Sequence, residues 1–321
     1  MERSFRTELA GRELVLETGK LAQLASGSVL VRYGDTVVLA TATMSEKPRE
    51  GIDFFPLSVD YEEKLYSVGK IPGSFIKREG KPSEKAILTS RVIDRPIRPL
   101  FPSDLRNDVT VIATVMSVEQ DNAPEIAAMI GASAAISISQ IPFAGPIGGV
   151  QVGLVDGEII INPTAEQREK STLQLTVAGT KDKVNMIEAG GQEIPEEVMF
   201  EAIMKAHEEI KKICAFISEV QAEIGKEKIE YERVVVPEEL IEKVKELYAD
   251  KVRAALDTDD KLVRDAALLP ISNALHEKYD AQFEGNEAKI DEILYLIQKH
   301  VVRSWLKDEK KRVDGRRMDE I

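Results

Sequence analysis

The sequence predicts an α+β core followed by an all-helical domain. Three observations carry that reading. Runs rich in β-branched residues recur between positions 13 and 189, the densest being Thr36-Val37-Val38-Leu39-Ala40-Thr41-Ala42-Thr43. A long amphipathic stripe occupies 195–224. From Pro237 to about Glu309 no strand pattern appears, and apolar residues recur at helical spacing.

Length and composition bound the possibilities. At 321 residues the chain has room for two domains, or three. Hydrophobic residues at 43% and charged residues at 31% are ordinary globular usage, and no apolar run approaches the length of a membrane span. Met1-Glu2-Arg3-Ser4-Phe5-Arg6 is charged with no apolar run behind it, so no secretory signal is visible and a cytoplasmic location is expected. Cys214 is the only cysteine, which excludes an internal disulfide and a cysteine-based zinc site. Its helical, apolar surroundings predict a buried structural thiol. His207, His276 and His300 lie far apart in sequence, which argues against a metal cluster or a Ser-His-Asp triad.

Along the chain, strands are expected at 13–19, within 22–35 and at 36–43, with Gly34-Asp35 as a hairpin turn. The run 36–43 is apolar on both faces and reads as a central strand. Pro56 marks the strand at 54–61 as an edge or a bulge. Ser83 caps a helix that Glu84 favours in its first turn and that should stop near Asp94, because Pro96 restricts Arg95 and removes a donor. A strand at 109–118 leads through Asp121-Asn122-Ala123-Pro124-Glu125 into a small-residue helix at 126–139. Gly145-Pro146-Ile147-Gly148-Gly149 marks a break, dividing the core into halves of about 1–144 and 145–236. Strands at 150–154, 158–161, 173–178 and 183–189 then precede the helix opened by Pro195 and closed by Gly225. The glycine pairs lack the context of a dinucleotide fingerprint and read as turns. The helical domain is placed at 237–309.

Residues 69–106 run against the acidic background of −13. They hold nine basic residues, Lys70, Lys77, Arg78, Lys81, Lys85, Arg91, Arg95, Arg98 and Arg106, opposed by four acidic ones. A loop offering Phe75 beside Lys77 and Arg78 suits single-stranded nucleic acid, because bases stack on rings and phosphates meet cations. A solvated basic loop is the bland alternative. Arg91, Asp94, Arg95 and Arg98 share one side if the helical path persists. Asp94 either pairs with these arginines structurally or orients them toward phosphates.

These motifs carry a resemblance. Gly69-Lys70-Ile71-Pro72-Gly73-Ser74-Phe75 through Arg91-Val92-Ile93-Asp94-Arg95-Pro96-Ile97-Arg98-Pro99-Leu100-Phe101-Pro102 closely resembles the first core of the bacterial polynucleotide phosphorylase (polyribonucleotide nucleotidyltransferase) family. Residues 26–36 resemble early strands of the same RNase PH-like (ribosomal protein S5 domain 2-like) fold. The stretch after Pro237 resembles the family's linker domain, and Arg312-Val313-Asp314-Gly315-Arg316 is similar to the start of its second core. The resemblance therefore implies an N-terminal piece, with residues 310–321 opening a truncated second core.

The implied activity is phosphorolytic 3′→5′ exoribonucleolysis in mRNA degradation. RNA and inorganic phosphate, the co-substrate, give shortened RNA and a nucleoside diphosphate, with Mg2+ as cofactor. The implied assembly is a homotrimeric ring that holds single-stranded RNA and meets other RNA-degradation proteins. The implied RNA-binding residues are Phe75, Lys77, Arg78, Arg91, Arg95 and Arg98. Ile76 stands where many relatives have a second aromatic, which removes a contact of about 1–3 kcal/mol.

Two departures place catalysis elsewhere. Asp121-Asn122-Ala123-Pro124 replaces the Gly- and Ser/Thr-rich phosphate loop of active cores, and Asn162 stands near an expected catalytic aspartate. No catalytic residue and no metal ligand is therefore expected in this chain, and the Mg2+ site falls outside it. The alternative is a stand-alone RNA-binding ring subunit without catalysis. An unrelated small-molecule α/β enzyme has no nucleotide loop, triad or metal cluster to support it.

Overall fold

A computed structural model describes residues 2–49, 51–52, 54–73, 79–231, 236–283 and 287–321. The chain divides into two compact units, Met1–Tyr231 and Glu232–Ile321.

The first unit is built on two sheets. Strands β1 (Arg3–Leu9), β2 (Arg12–Thr18), β3 (Gly27–Tyr33), β4 (Thr36–Pro48), β5 (Leu57–Glu63) and β6 (Asn107–Ser117) form one sheet in the order β1-β2-β3-β4-β6-β5. All its pairings are antiparallel except β5 with β6. The β-branched run is interior, as its two apolar faces require, and β5 is an edge strand that starts just after Pro56. Strands β7 (Gly148–Val155), β8 (Glu158–Ile161), β9 (Leu173–Gly179) and β10 (Val184–Gly191) form the second sheet, antiparallel throughout, in the order β10-β9-β7-β8.

Helix α2 (Pro124–Ile138) touches both sheets, and fourteen of its residues are buried. Its Ala, Ser and Gly content follows from that position, since a helix buried all round must let its neighbours come close. A Cβ on Gly131 would sit 2.7 Å from Val31 Cγ2 and 2.9 Å from Ala40 Cβ, so only glycine allows this approach to the sheet. Helix α4 (Glu196–Ile224), capped by Pro195 and followed by Gly225, buries Ala206, Ile210, Ile213, Ile217 and Val220 of the predicted stripe against β7, β9 and α2. Cys214 is buried there, and burial pushes its thiol up to about 12, as a structural thiol requires. After α4 the Lys228 ammonium bonds the carbonyls of Ile136, Ser137 and Ser139 at 2.7–3.0 Å, closing the C-terminus of α2, and burial lowers it to about 8.

Four features depart from expectation. Helix α1 (Glu84–Ile97) does not stop near Asp94, because Pro96 lies in its last turn, where only one intrahelical bond is lost, and the Arg98 N–H still bonds Asp94 O. Strand β1 and the short helix α3 (Ala165–Lys170) were not signalled by the sequence pattern. Leu247, counted on an apolar helical face, is half exposed.

The second unit packs α5 (Glu238–Leu256), α6 (Lys261–Tyr279) and α7 (Ala288–Ser304) around Val244, Leu275, Ile293, Ile297 and Trp305. Asp260 caps α6 by accepting from the Leu262 and Val263 N–H groups. His276 ties α6 to α7. Its Nδ1 donates to Asp280 Oδ1 at 2.7 Å and its Nε2 to Asp291 Oδ1 at 3.2 Å. Both nitrogens can donate only in the imidazolium, and these carboxylates hold the pKa above its ordinary 6.5. Because the folded value is raised, the stabilisation is complete below the unfolded pKa and is lost as pH rises through the folded one. Denaturant titrations of the second unit from pH 5.5 to 9 should show stability falling over that window, and His276→Gln should flatten the fall.

Candidate functional site

The cationic stretch maps onto α1 and its flanks. Ser83 Oγ accepts from Ala86 N–H and starts the helix, with Glu84 in the first turn. Arg98 forks onto Asp94 at 2.6 and 2.8 Å and also donates to Leu57 O at 3.0 Å, so it ties α1 to β5. Arg95 pairs with Glu188 and donates to Ile187 O at 3.4 Å, which ties α1 to β10. Arg91 is exposed and makes no side-chain bond among the described residues. Of the three predicted arginines of α1, two therefore brace the core and one is presented to solvent. Phe75, Lys77 and Arg78 lie outside the described residues.

The turn that leads into α2 is held from both halves. Arg12 Nη1 donates to Asp121 O at 2.8 Å and to Asn122 Oδ1 at 2.7 Å, while Nη2 donates to Asn162 O. The guanidinium lies 5.0 Å from the centre of the Tyr33 ring. Asn162 is buried and left-handed at φ 48°. Its Oδ1 accepts from Gln151 N–H at 2.9 Å, and its Nδ2 donates to Tyr33 Oη at 3.1 Å. From α3, Arg168 donates to Gln120 O and to Pro163 O, and Asp121 Oδ1 accepts from Ala165 N–H. Asn162 is thus a corner of a clasp between the half-domains, with both ends of its amide engaged. The turn has no basic residue of its own, but Arg12 and Arg168 reach it from elsewhere.

Beside this turn a cleft of about 640 Å³ is lined by both halves. One wall holds Glu63, Lys85, Glu119 and Glu125, and the other holds Gln151, Arg168, Gln174, Thr176 and Glu188. Lys85 Nζ lies 2.9 Å from Glu125 and 3.6 Å from Glu63. Glu119 Oε2 accepts from Asn122 Nδ2 at 2.5 Å and from Asp35 N–H at 3.0 Å. An incoming phosphate would meet four carboxylates and two cations already in use.

Comparison with known proteins places this architecture. Residues 10–142 match the 3′ exoribonuclease family, domain 1, and residues 145–209 match its domain 2. Residues 239–317 match the polyribonucleotide nucleotidyltransferase RNA binding domain. A polyribonucleotide nucleotidyltransferase of Ruminiclostridium cellulolyticum is 64% identical over 321 residues, covering 100% of this chain and 46% of that protein. The chain belongs to the polyribonucleotide nucleotidyltransferase family. Its counterpart in Caldicellulosiruptor saccharolyticus is 59% identical over 317 residues, 99% of this chain and 45% of that protein. The chain thus spans just under half the length of the curated relatives it matches. The crystal structure of rice Rrp46 shares the fold at 17% identity and a TM-score of 0.53, covering 66% of this chain and 95% of that one.

For polyribonucleotide nucleotidyltransferase chemistry, the donor set here does not fit Mg2+. The four cleft carboxylates are each bonded to a cation or an N–H donor, and Asn162 offers an amide already committed. Among the described residues no group of three or more His, Cys, Asp or Glu is arranged to hold a metal. No helix among them is long and apolar enough to cross a membrane. Sequence reasoning missed Arg12 and Arg168. A faint signal existed for the clasp in Asn162-Pro163, a pair that favours a turn and tolerates the left-handed region.

Proposed function

We propose that this chain is the RNA-holding, ring-forming first core and helical domain of a phosphate-dependent 3′→5′ exoribonuclease. In this reading 1–236 is the core and 237–309 the helical domain. RNA and phosphate are converted to shortened RNA and a nucleoside diphosphate by a Mg2+-assisted site beyond this chain, within a cytoplasmic homotrimer. The observation that carries the non-catalytic assignment is the turn ahead of α2. Where a phosphate cradle would need free donors, Arg12 and Arg168 are fastened to carbonyls and Asn122, and Glu125 occupies the first turn of α2 beside Lys85.

The RNA-holding assignment rests on the basic stretch 69–106, in which Lys70, Lys81 and Arg91 are exposed and whose sequence also carries Phe75, Lys77 and Arg78. Arg95 and Arg98 hold α1 in position. Arg91→Ala is expected to weaken binding of a poly(A) 20-mer uniformly and to reduce the slope of log K against log[salt] by about 0.7, the value for one single-strand phosphate contact. An unchanged affinity and slope would remove Arg91 from the RNA path.

A further inference from the structure

We propose that the cleft between the two halves of the first unit binds a small organic cation of the polyamine class, an aliphatic chain carrying protonated amino groups. The proposal is independent of the assigned function. The cleft's volume of about 640 Å³ is that of a small-molecule site. Its hydrogen-bonding surface is rich in acceptors. Thr176 of β9 stands in register with Gln151 of β7 on one side and Glu188 of β10 on the other, so the three form one row across the sheet. Gln174 lies two residues along β9 on the same face. The side chains of Gln151, Gln174 and Thr176 make no hydrogen bond among the described residues, which leaves two amide oxygens and a hydroxyl for N–H donors. Ala123, Pro124 and Val118 on the opposite side suit methylene groups.

The sign of the field selects the ligand. Glu63, Glu119, Glu125 and Glu188 line the cleft against Lys85 and Arg168, four acids to two bases. Adding Arg95, which offsets Glu188 from outside the lining, still leaves the acids in excess, four to three. An anion is therefore opposed and a cation drawn in. The form of the cation follows from how the acids are held. A carboxylate already bonded to Lys85 or Asn122 keeps further lone pairs and accepts an ammonium N–H without releasing its partner. A divalent metal ion is held best by several oxygen ligands converging on one point, and among the described residues no three acidic side chains are so arranged.

The test is calorimetric titration of the 321-residue chain with spermidine, at fixed ionic strength, beside Gly190→Leu. Gly190 lines the cleft, and a Cβ there meets nothing within 4 Å, so a leucine side chain starts into open space. Saturable 1:1 binding to the wild type is expected, at least tenfold weaker in Gly190→Leu, with the melting temperature of the ligand-free protein unchanged. Gln174→Leu, at an exposed position of β9, is a second variant and should weaken binding severalfold. Absence of saturable spermidine binding would overturn the proposal. So would equal binding by wild type and both variants, which is surface adsorption, or equal competition by Mg2+ at the same ionic strength.

Discussion

Arg12→Ala is expected to destabilise the first unit by about 3 kcal/mol, read as a lower urea midpoint at unchanged slope. Arg12 bonds the turn before α2 and the residue that follows β8 at once, through Asp121 O, Asn122 Oδ1 and Asn162 O. Its removal leaves three acceptors at a half-buried site with nothing to replace a forked, charged donor. The left-handed Asn162 would also lose the donor to its carbonyl, and Tyr33 the cation over its ring. Arg12→Lys should recover less than half of the loss, because an ammonium cannot span acceptors on both halves. A change within 0.5 kcal/mol, the scatter of ordinary surface substitutions, would show that the clasp is incidental to stability.

Trp305→Ala should be as damaging in the second unit, about 3–5 kcal/mol, with the first unit's transition left in place. Trp305 is 1% exposed at the end of α7. Arg253 and Lys311 lie 5.4 and 5.0 Å from its ring centre, and their partners, Glu309 and Asp257, secure the residues after the helix. Among the described residues the Trp305 Nε1–H has no hydrogen-bond partner. Trp305→Phe removes that unpaired donor along with some volume, so the two effects oppose, and a loss below about 1.5 kcal/mol is expected. Differential scanning calorimetry separates the two transitions.

Much of the fold was legible because periodicity reports burial directly. The β-branched run at 36–43 became an interior strand, the stripe of α4 became its core face, and Ser83 capped α1. Strand β1 escaped because Arg3-Ser4-Phe5-Arg6-Thr7-Glu8-Leu9 lies at a sheet edge with mostly exposed side chains, so its apolar signal is nearly absent. Pro96 misled because a proline is costly in a helix interior but tolerable in the last turn, and the end of a helix depends on what packs beyond it.

The candidate site was half legible. Motif residues singled out the basic stretch, but which of its arginines are paired depends on Glu188, Asp94 and Leu57 O, partners set by tertiary structure. Through Arg12 the clasp joins residues 109 to 150 positions apart, a distance over which no local pattern carries information. In sequence Asn162 reads as a lost carboxylate, and the structure gives it a positive task in joining the halves.

In the proposed function this chain holds RNA and does not cut it. The direct measurement is nucleoside diphosphate release from poly(A), with inorganic phosphate and Mg2+ present, by the purified 321-residue chain beside a full-length relative. Parallel RNA-binding titrations ensure that the chain engages its substrate. RNA binding without diphosphate release is expected. Release at a rate comparable to that of the full-length protein would contradict the non-catalytic assignment and place a working phosphate site in the cleft beside α2.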